Sequence, residues 1–462
     1  MSRTYPHELV EQGLAASTAD DCIVLVGATT SANLRWANNT LTTNGLMEGS
    51  EVTVISTVDG GSGVASGAVT RSAATPDDVR LIVEAADAAA RAAGPADDAA
   101  PLVQGESSRE FEEAPEPTSI SVFDTFAPAL GEAFGRARDA DRLLYGYVEH
   151  TVTTTYVGSS TGLRLRHVQP TGHVGITGKS SDLTRSAWVG QSTRDFSDVD
   201  ATALGAELDR RLGWAQRTVA LPAGRYDTIM PPTAVSDLLI YAYWTAGARD
   251  AHEGQTVYSK PGGGTRVGEQ LSQQPLQVFS DPAYKGLECA PFVTAAASSS
   301  VSSVFDNGLP LGRTDWIKDG RLTSLGQTRR SAQMTDLPVT PFVDNLVMSV
   351  DGGTGDVESL VADTERGLLL TCLWYIREVD PQTLLLTGLT RDGVYLVENG
   401  EVTGAVNNFR FNESPISLFD RFAAVTETVP SFSREWGDYF PRTATPALRV
   451  PDFNMSSVSQ AQ

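Results

Sequence analysis

Residues 145–168 read YGYVEHTVTTTYVGSSTGLRLRHV and carry the most informative pattern of the chain. Val, Thr and Tyr dominate its first part, and these residues are typical of β-strands. Gly158–Gly162 then supplies small turn residues, and Leu163–Val168 alternates between apolar and polar residues. The stretch therefore predicts a β-hairpin, which Gly172–Thr177 and Arg185–Val189 extend into a meander.

Helices and strands surround this hairpin. Short β-branched or alternating runs predict strands at 22–26, 34–39 and 51–55. Asn44-Gly45 is a turn signal between the second and third of these strands. Thr75 and Pro76 predict the start of a helix that reaches about Ala93, because Thr caps a helix and Pro suits its first turn. Further helices are predicted at 6–19, 127–140, 201–214 and 234–249.

The character of the chain changes twice. Residues 94–118 are acidic and rich in proline, so they predict an exposed loop. Beyond Leu221 and the helix at 234–249, the chain is mostly β, with connections rich in glycine and proline. Its clearest predicted strands lie at 301–305, 367–375, 383–387 and 394–397.

Composition and charge exclude some classes of partner. The 462 residues include 57 Asp and Glu against 35 Lys and Arg, which gives a formal net charge of −22. This balance argues against nucleic acid and anionic lipid as partners, since both need a basic surface. The longest apolar run, at 367–376, is shorter than the roughly 20 residues of a membrane-spanning helix. The first eight residues carry no apolar signal-peptide core, so we expect a cytoplasmic protein.

Most stretches that resemble ligand sites lack an essential part. The cysteines are too few and too widely spaced for a disulfide framework or zinc cage, so we expect buried thiols at Cys22, Cys289 and Cys372. His252-Glu253 begins like a zinc-binding helix, but no histidine follows within 254–258. The glycine-rich segment 261–268 lacks the ending of a P-loop, and 351–356 lacks the further ligands of an EF-hand.

The hairpin turn has a second interpretation. Residues 158–162 match G-x-S-x-G, the pattern of a nucleophile elbow, in which a helix follows the serine. Here a strand-like alternation follows, so a simple hairpin turn is the favoured interpretation.

Three of the five histidines fall in the same meander. With the turn centred on Ser160, His150 is predicted to face Pro170 across the hairpin. The alternation of side chains places His167 and His173 on the opposite face from His150. No carboxylate stands nearby at helical ligand spacing, so a metal site is not predicted here.

Several short motifs recur along the chain in a distinctive order. They are RWANN at 35–39, TTNG at 42–45, the turn at 158–162, DP at 281–282, FDNGLP at 305–310, WIKDGRL at 316–322 and RDGVYLVENG at 391–400. In order and spacing they resemble the TldD/TldE (PmbA) family of modulator-of-gyrase proteins. The resemblance extends from about Asp21 to Pro446, and Asn307 departs from it because the family usually has an acid there.

The resemblance implies an α+β fold in two parts. Residues 1–220 would form an N-terminal α/β domain with a mixed sheet and helices, including the loop 94–118. Residues 221–462 would form a C-terminal domain built on a large, curved, mostly antiparallel and barrel-like sheet. In this family, the TldD kind is similar to a zinc peptidase, with a His-Glu-x-x-x-His helix and a later cysteine ligand. The TldE kind lacks that motif, and the two assemble into a heterodimer that cuts unfolded peptide.

The helix predicted at 234–249 decides between the two kinds. Alignment with the family places the first His-Glu pair at Leu239 and Ile240, and the second His at Trp244. No His or Glu occurs in this helix, and apolar side chains cannot replace the nitrogen, sulfur or oxygen ligands of zinc. Cys372 lies in a hydrophobic run, outside the Cys-Gly-Lys setting of the TldD kind. We therefore predict no catalytic, metal or cofactor residue in this chain.

The resemblance thus predicts a non-catalytic, TldE-like subunit of a cytoplasmic metallopeptidase complex. Zinc would belong to a TldD-like partner, and the substrate would be an unfolded or precursor peptide, while the peptide-binding residues stay unassigned. A sheet edge can take up such a peptide as an extra strand. Two alternatives stay open. One is a homodimeric peptide-binding scaffold without a catalytic partner. The other is a stand-alone hydrolase with a rebuilt site that draws on His150, His167, His173, Ser159 or Ser160.

Overall fold

The computed structural model describes residues 4–72 and 75–460, so the outermost residues of the two predicted domains, 1–3 and 461–462, lie outside it. The described helices are α1 Pro6–Ala16, α2 Pro76–Ala92, α3 Phe126–Asp139, α4 Ala201–Trp214, α5 Pro232–Trp244, α6 Ala248–His252, α7 Arg329–Thr335, α8 Val357–Ala362 and α9 Pro415–Arg421. Among these described helices, none has the length and apolar character needed to cross a lipid bilayer.

The first half of the chain forms one six-stranded sheet. Its strands are β1 Asp21–Ala37, β2 Thr40–Asp59, β3 Val64–Ser72, β4 Arg142–Ser159, β5 Arg164–Ser180 and β6 Ser186–Thr193. They lie in the order β3-β2-β1-β4-β5-β6, and every pairing is antiparallel. The α+β class is confirmed, whereas this sheet is antiparallel rather than mixed. The reason is that most neighbouring strands follow one another directly through short turns, which reverse the chain.

The turn between β1 and β2 lies at Asn38-Asn39 and not at the predicted Asn44-Gly45. The φ angles of Asn38 and Asn39 are 51° and 57°, which a two-residue hairpin turn needs and asparagine tolerates. The backbone N–H of Leu144 donates to the Asn39 side chain at 2.7 Å, which ties the turn to β4. Asn44 and Gly45 instead lie inside β2, so the three short predicted strands are parts of two long ones.

Even-numbered side chains of β1 point toward the helices. Val24 packs with Val10 of α1 and Ile82 of α2, and further along the strand Trp36 packs with Leu130 of α3. Odd-numbered side chains such as Ile23 and Leu25 instead meet Phe292, Val304 and Phe305 from the second half. Burial of each such side chain contributes roughly 1.5–3 kcal/mol, so both faces of this sheet are part of the core.

The acidic segment 94–118 is irregular, as predicted, but it is not wholly exposed. Leu102 and Phe111 are buried. The Asp98 carboxylate accepts a hydrogen bond of 2.6 Å from the Ser303 hydroxyl. The segment is therefore packed against both halves of the molecule, which its overall polarity did not indicate.

The second half contains a ten-stranded and a six-stranded sheet. The larger sheet comprises β7 Thr218–Val219, β8 Gly224–Met230, β13 Arg366–Leu370, β14 Trp374–Asp380, β15 Leu385–Leu389, β16 Val394–Glu398, β17 Glu401–Val406, β18 Phe409–Glu413, β19 Ala424–Val425 and β22 Leu448–Val458. The smaller sheet comprises β9 Leu276–Ser280, β10 Thr314–Lys318, β11 Arg321–Leu322, β12 Leu346–Val350, β20 Val429–Ser431 and β21 Thr443–Thr445.

The larger sheet is mostly antiparallel, as predicted. Its order is β14-β15-β18-β22-β8-β13-β16-β17-β7, with β19 beside β22, so the described strands form an open path with β14 and β7 at its ends. Only the β8–β13 and β7–β17 pairings among them are parallel. The two sheets enclose the largest hydrophobic cluster, which contains most of α5. The predicted division of the chain near residue 220 stays a prediction.

Candidate functional site

Helix α5 lies at the centre of the second half. It begins at Pro232, whose ring suits the first helical position because no N–H is needed there. Residues 234–240 are all buried, and a helix that is buried on every side belongs to a core. The predicted extension of the helix to Arg249 is wrong. The helix ends at Trp244, and the chain forms a short β-bridge at Gly247 before α6 begins.

The three predicted metal-helix positions hold apolar groups. Leu239 and Ile240 are buried in the core, whereas Trp244 is 40% exposed. The ring of Trp244 lies 5.0 Å from that of Trp436, edge to face. In residues 4–72 and 75–460, no group of three or more His, Cys, Asp or Glu side chains could hold a metal ion. The residues present at these positions of α5 therefore do not fit zinc.

Asp237 is the one carboxylate within α5, and it is fully buried. Its Oδ1 atom accepts hydrogen bonds from the Ser433 hydroxyl at 2.6 Å and from the backbone N–H of Glu435 at 3.1 Å. Its Oδ2 atom accepts one from the backbone N–H of Leu373 at 2.9 Å. Burial outweighs these hydrogen bonds and raises the pKa of Asp237 to about 7. Asp237 was not among the residues predicted from the sequence, although a lone carboxylate in an apolar helix is a recognisable signal.

Glu435 extends the same network to the edge of the larger sheet. Its carboxylate accepts the backbone N–H groups of Tyr375 at 3.0 Å and Ile376 at 3.2 Å, at the start of β14. The Arg377 guanidinium lies 3.3 Å away from it. The Tyr241 hydroxyl of α5 donates to the carbonyl of Ile376 at 2.7 Å. Helix α5, β14 and the chain around residue 435 are thus joined by polar contacts.

Cys372 is buried, as predicted, but it does not lie in a strand. The strand predicted through this region is interrupted at 371–373, between β13 and β14. The Cys372 sulfur lies 3.5 Å from the carbonyl oxygen of Arg391 and packs with Trp188 and Phe432. Burial raises the pKa of this thiol to about 12, so the thiolate form is disfavoured at neutral pH.

His150 is held by hydrogen bonds at both ring nitrogens. Nδ1 lies 2.6 Å from the Thr118 hydroxyl, and Nε2 lies 2.9 Å from the carbonyl of Arg194. Burial lowers the pKa of His150. It pairs with Gly172 and not with the predicted Pro170, because the hairpin is centred one residue later. The partner of His150 is thus two residues away from the predicted one. Because side chains on a strand alternate with a period of two, His150 still lies on the predicted face of the sheet.

The other two histidines of the meander lie on the opposite face, as predicted. Their odd numbers put them there, because directly paired residues share a face. His167 Nε2 lies 3.1 Å from the side-chain oxygen of Gln169. His173 Nε2 lies 3.6 Å from the Asp438 carboxylate, and burial lowers the pKa of this imidazole. Each of the three histidines therefore has different surroundings.

The G-x-S-x-G residues form the end of β4 and the start of the turn that leads to β5. The Ser159 and Thr161 hydroxyls lie 2.7 Å apart, and the Ser160 hydroxyl donates to Asp21 at 2.7 Å. His150 and Ser159 belong to the same strand, nine residues apart. At about 3.3 Å per residue, their backbones are separated by roughly 30 Å. The structure does not bring these serines together with His150.

A cavity of about 380 Å³ separates the first sheet from the segment that carries Glu435. The rings of His173 and Phe432 stack at 5.7 Å, and those of Phe432 and Trp188 at 6.2 Å. Arg434 lies over the faces of Trp188 and Trp374, at 4.6 Å and 4.5 Å. We call this space the aromatic cavity and define it by His173, Phe432, Trp188, Trp374 and Arg434. Only His173 among these residues was a candidate from the sequence, since the others come from distant parts of the chain.

An antiparallel sheet flanked by helices, joined to a second half whose sheets enclose a buried helix, defines a class of α+β proteins. A model of the PmbA/TldA metallopeptidase C-terminal domain matches residues 223–457, just over half of the chain. The chain therefore belongs to the TldD/TldE (PmbA) family, as the motifs predicted. No curated protein sequence matches the chain.

Solved structures share the fold over nearly the full length. TldE from Thermococcus kodakarensis is 16% identical and superposes with a TM-score of 0.77, covering 96% of this chain and 98% of that one. A proposed modulator of DNA gyrase from Thermotoga maritima is 15% identical, with a TM-score of 0.73 and coverage of 97% and 99%. Another from Bacteroides thetaiotaomicron is 13% identical, with a TM-score of 0.73 and coverage of 98% of both chains. At such low identity these similarities concern the fold.

Proposed function

We propose that this chain is a non-catalytic, TldE-like subunit of a cytoplasmic metallopeptidase complex of the TldD/TldE type. A TldD-like partner would carry the zinc ion and cut the peptide. This chain would form part of the compartment that receives an unfolded or precursor peptide.

The observation that carries the proposal is the chemistry of α5. Leu239 and Ile240 are buried in the core, and Trp244 packs its ring on Trp436. None of these three side chains offers a zinc ligand. The one carboxylate of the helix, that of Asp237, already accepts three hydrogen bonds from other parts of the chain. The helix is therefore suited to a structural role.

One observation bears on the hydrolase alternative. The serines of the 158–162 turn and the three histidines of the meander each have other partners, which disfavours the stand-alone hydrolase in the form predicted. A homodimeric scaffold differs from the proposal only in the partner. The partner must therefore be identified directly.

The test is recovery of the tagged full-length chain from its native cell, followed by mass spectrometry and metal analysis. We expect a second chain that carries His-Glu-x-x-x-His, about one zinc ion per pair, and peptidase activity that a chelator abolishes. The purified chain alone should contain no stoichiometric zinc and cut no peptide. Recovery of this chain only with itself would favour the scaffold.

Cys372→Ser is a matched control, because Cys372 is the cysteine that was compared with the zinc ligand of the TldD kind. Its thiol is buried, and burial raises its pKa to about 12. The zinc content of the recovered pair should not change in this variant. The proposal would be overturned if the isolated wild-type chain held about one zinc ion and cut peptide in a chelator-sensitive way. Loss of both properties in Cys372→Ser would then identify Cys372 as a zinc ligand.

A further inference from the structure

Strand β2 leaves one long edge of the first sheet unpaired. Its second half, residues 51–59, lies between β1 and β3, whereas residues 40–49 pair with β1 alone among the described strands. In an antiparallel sheet, alternate residues of a strand direct their N–H and C=O groups to either side. Residues 40–49 therefore present a row of backbone donors and acceptors that no described strand takes up. We call residues 40–49 the free edge.

The side chains of the free edge are exposed on both faces of the sheet. Leu46 pairs with Ala32, which is buried in the cluster that contains α3, yet Leu46 itself is 54% exposed. Leu41 pairs with the buried Trp36 and is 49% exposed. Met47 lies on the opposite face and is 55% exposed. The helical cover of the first sheet thus ends at β1, and the outer strand keeps apolar groups in water.

The free edge lacks the features that protect other sheet edges. Strand β14 carries three charged residues within 377–380, and the Glu435 carboxylate accepts two of its N–H groups. Charged side chains and prolines at an edge oppose the addition of another strand. Residues 40–49 contain no proline and one charged residue, Glu48. The free edge is therefore open to strand addition, which main-chain hydrogen bonds stabilise.

The charge pattern of the free edge favours a second copy of the same edge. Two identical antiparallel strands pair about a two-fold axis, which keeps like faces of the two sheets on the same side. With an axis near Gly45, the two copies of Glu48 are roughly 20 Å apart along the strands, beyond the Debye length of about 8 Å at physiological salt. The same axis makes the two copies of Leu46 diagonal neighbours, which are within reach of each other. The edge is thus self-complementary in charge and in apolar contact.

We propose that the chain forms a two-fold symmetric dimer in which the free edges of two copies pair as antiparallel strands. The two six-stranded sheets then join into one continuous sheet, and Leu46 of each copy covers the other. The inference does not depend on the proposed subunit function, because the free edge belongs to the first half of the chain and α5 to the second. Its test also needs neither zinc nor a catalytic partner.

The test is sedimentation-velocity ultracentrifugation of the purified full-length chain. It is made at about 0.5 M salt, where the repulsion between two chains of charge −22 is screened. We expect a reversible monomer–dimer equilibrium between about 1 and 100 µM protein. A chain that stays monomeric over this range, or one that grows beyond a dimer, would overturn the proposal.

Leu46→Lys tests whether the dimer uses the free edge. This substitution removes the apolar contact and places two like charges near the axis, so the dissociation constant should rise at least about ten-fold. The melting temperature of the dilute monomer should not change, because Leu46 is exposed. Val379→Lys changes a similarly exposed residue of β14 and is the matched control, which should dimerise as the wild type does. An unchanged dissociation constant in Leu46→Lys would contradict the assignment.

Single cysteines test the position of the two-fold axis. The three native cysteines are buried, so a cysteine added at the free edge is the accessible thiol. Gly45→Cys is tolerated, since an added Cβ would lie 3.6 Å from the nearest atom, in the Asn33 side chain. Its two copies meet at the axis and should form a disulfide-linked dimer under mild oxidation. The two copies of Leu41→Cys lie roughly 25 Å apart and should not, whereas equal cross-linking of both variants would contradict this register.

Discussion

Two buried carboxylates, each in the middle of a helix, differ in the charge state that their surroundings favour. Asp87 of α2 accepts hydrogen bonds from the hydroxyls of Ser56 at 2.6 Å, Thr18 at 2.8 Å and Ser17 at 2.9 Å, and from the backbone N–H of Thr18 at 2.7 Å. Asp237 of α5 accepts from one hydroxyl and two backbone N–H groups. Burial opposes ionisation of both groups.

The balance between burial and hydrogen bonding gives opposite pKa shifts in the two helices. At Asp87 the hydrogen bonds outweigh burial and hold the pKa below its ordinary value. At Asp237 burial prevails, the carboxylate of Glu435 adds repulsion, and the pKa rises to about 7. The comparison shows that the depth of burial, the number of hydrogen-bond donors and the nearest charge together decide which form of a buried acid is favoured. It also means that α2 and α5 should respond differently to mutation and to pH.

Removal of either carboxylate should have the largest effect on the free energy of unfolding. Asp237→Ala leaves two buried N–H groups, those of Leu373 and Glu435, without an acceptor, so we expect a loss of about 3–5 kcal/mol in the free energy of unfolding. Asp87→Ala leaves only one backbone N–H group, that of Thr18, without an acceptor, because the hydroxyl donors can rotate toward other acceptors. We expect this variant to lose about 2 kcal/mol in the free energy of unfolding. Urea denaturation at pH 7 measures both values. Equal losses would contradict this explanation.

The dependence of stability on pH should differ in sign between Asp237 and Asp87. Because the pKa of Asp237 is about 7 in the folded state and roughly 4 in the unfolded chain, its stabilising contribution is present below about pH 4 and is lost as the pH rises through about 7. Asp237→Asn does not titrate in this window. Relative to this variant, the wild type should therefore lose about 2–4 kcal/mol between pH 4 and pH 8. Parallel stability curves for the two proteins would count against a raised pKa.

Asp87→Asn is the matched counterpart with the opposite sign. Because the pKa of Asp87 is lowered in the folded state, its contribution is present above the ordinary carboxyl pKa and is lost in more acidic solution. The variant should be about 1–2 kcal/mol less stable than the wild type at pH 7. This deficit should shrink below about pH 4. Denaturation curves at pH 3 and pH 7 provide the measurement, and a constant deficit would exclude the lowered pKa.

The part of the fold that depends on local pattern was predictable from sequence. The alternation within 145–168 predicted the β4–β5 hairpin, and the structure confirms it. The first turn was misplaced because Asn38-Asn39 and Asn44-Gly45 are both turn signals. The choice between them depends on the contact of Asn39 with β4, more than a hundred residues away. Such a long-range contact leaves no trace in a short window of sequence.

For the candidate site, the sequence predicted only that zinc ligands are missing from α5. The absence of His and Glu from α5 indicated an altered metal helix, and that interpretation stays a prediction about function. The network of Asp237 was not foreseen, because its donors Ser433, Glu435 and Leu373 are 136 to 198 residues away. Sequence pattern identifies a buried acid, whereas the partners that set its pKa are known only once the fold is known.

Single hydroxyls should give a smaller effect in the same direction. Ser433→Ala removes the 2.6 Å donor to Asp237 and also the acceptor of the Trp436 N–H, so we expect a loss of about 1–2 kcal/mol at pH 7. Ser56→Ala leaves Asp87 with three other hydrogen bonds and should cost about 1 kcal/mol or less. Thermal unfolding of both variants at one pH checks the order, and a reversed order would contradict the donor count as the cause.

The smallest expected effect is that of Glu435→Gln. The amide oxygen keeps one acceptor for the N–H groups of Tyr375 and Ile376, but the negative charge near Asp237 is lost. We expect a cost of about 0.5–1 kcal/mol at low pH. Removal of the charge should lower the pKa of Asp237. The loss of stability that the wild type shows between pH 4 and pH 8 should therefore occur at lower pH in this variant. A decrease at unchanged pH would show that Glu435 does not act on Asp237.

Glu435 also has a consequence for the behaviour of the protein in concentrated solution. Strand β14 ends the order of the ten-stranded sheet, and unpaired N–H groups at such an edge invite other molecules to aggregate by strand addition. The Glu435 carboxylate accepts hydrogen bonds from two N–H groups near the start of β14, those of Tyr375 and Ile376, and Arg377 adds a charge beside them. The residue that helps to set the protonation of Asp237 thereby also makes strand addition less favourable at Tyr375 and Ile376.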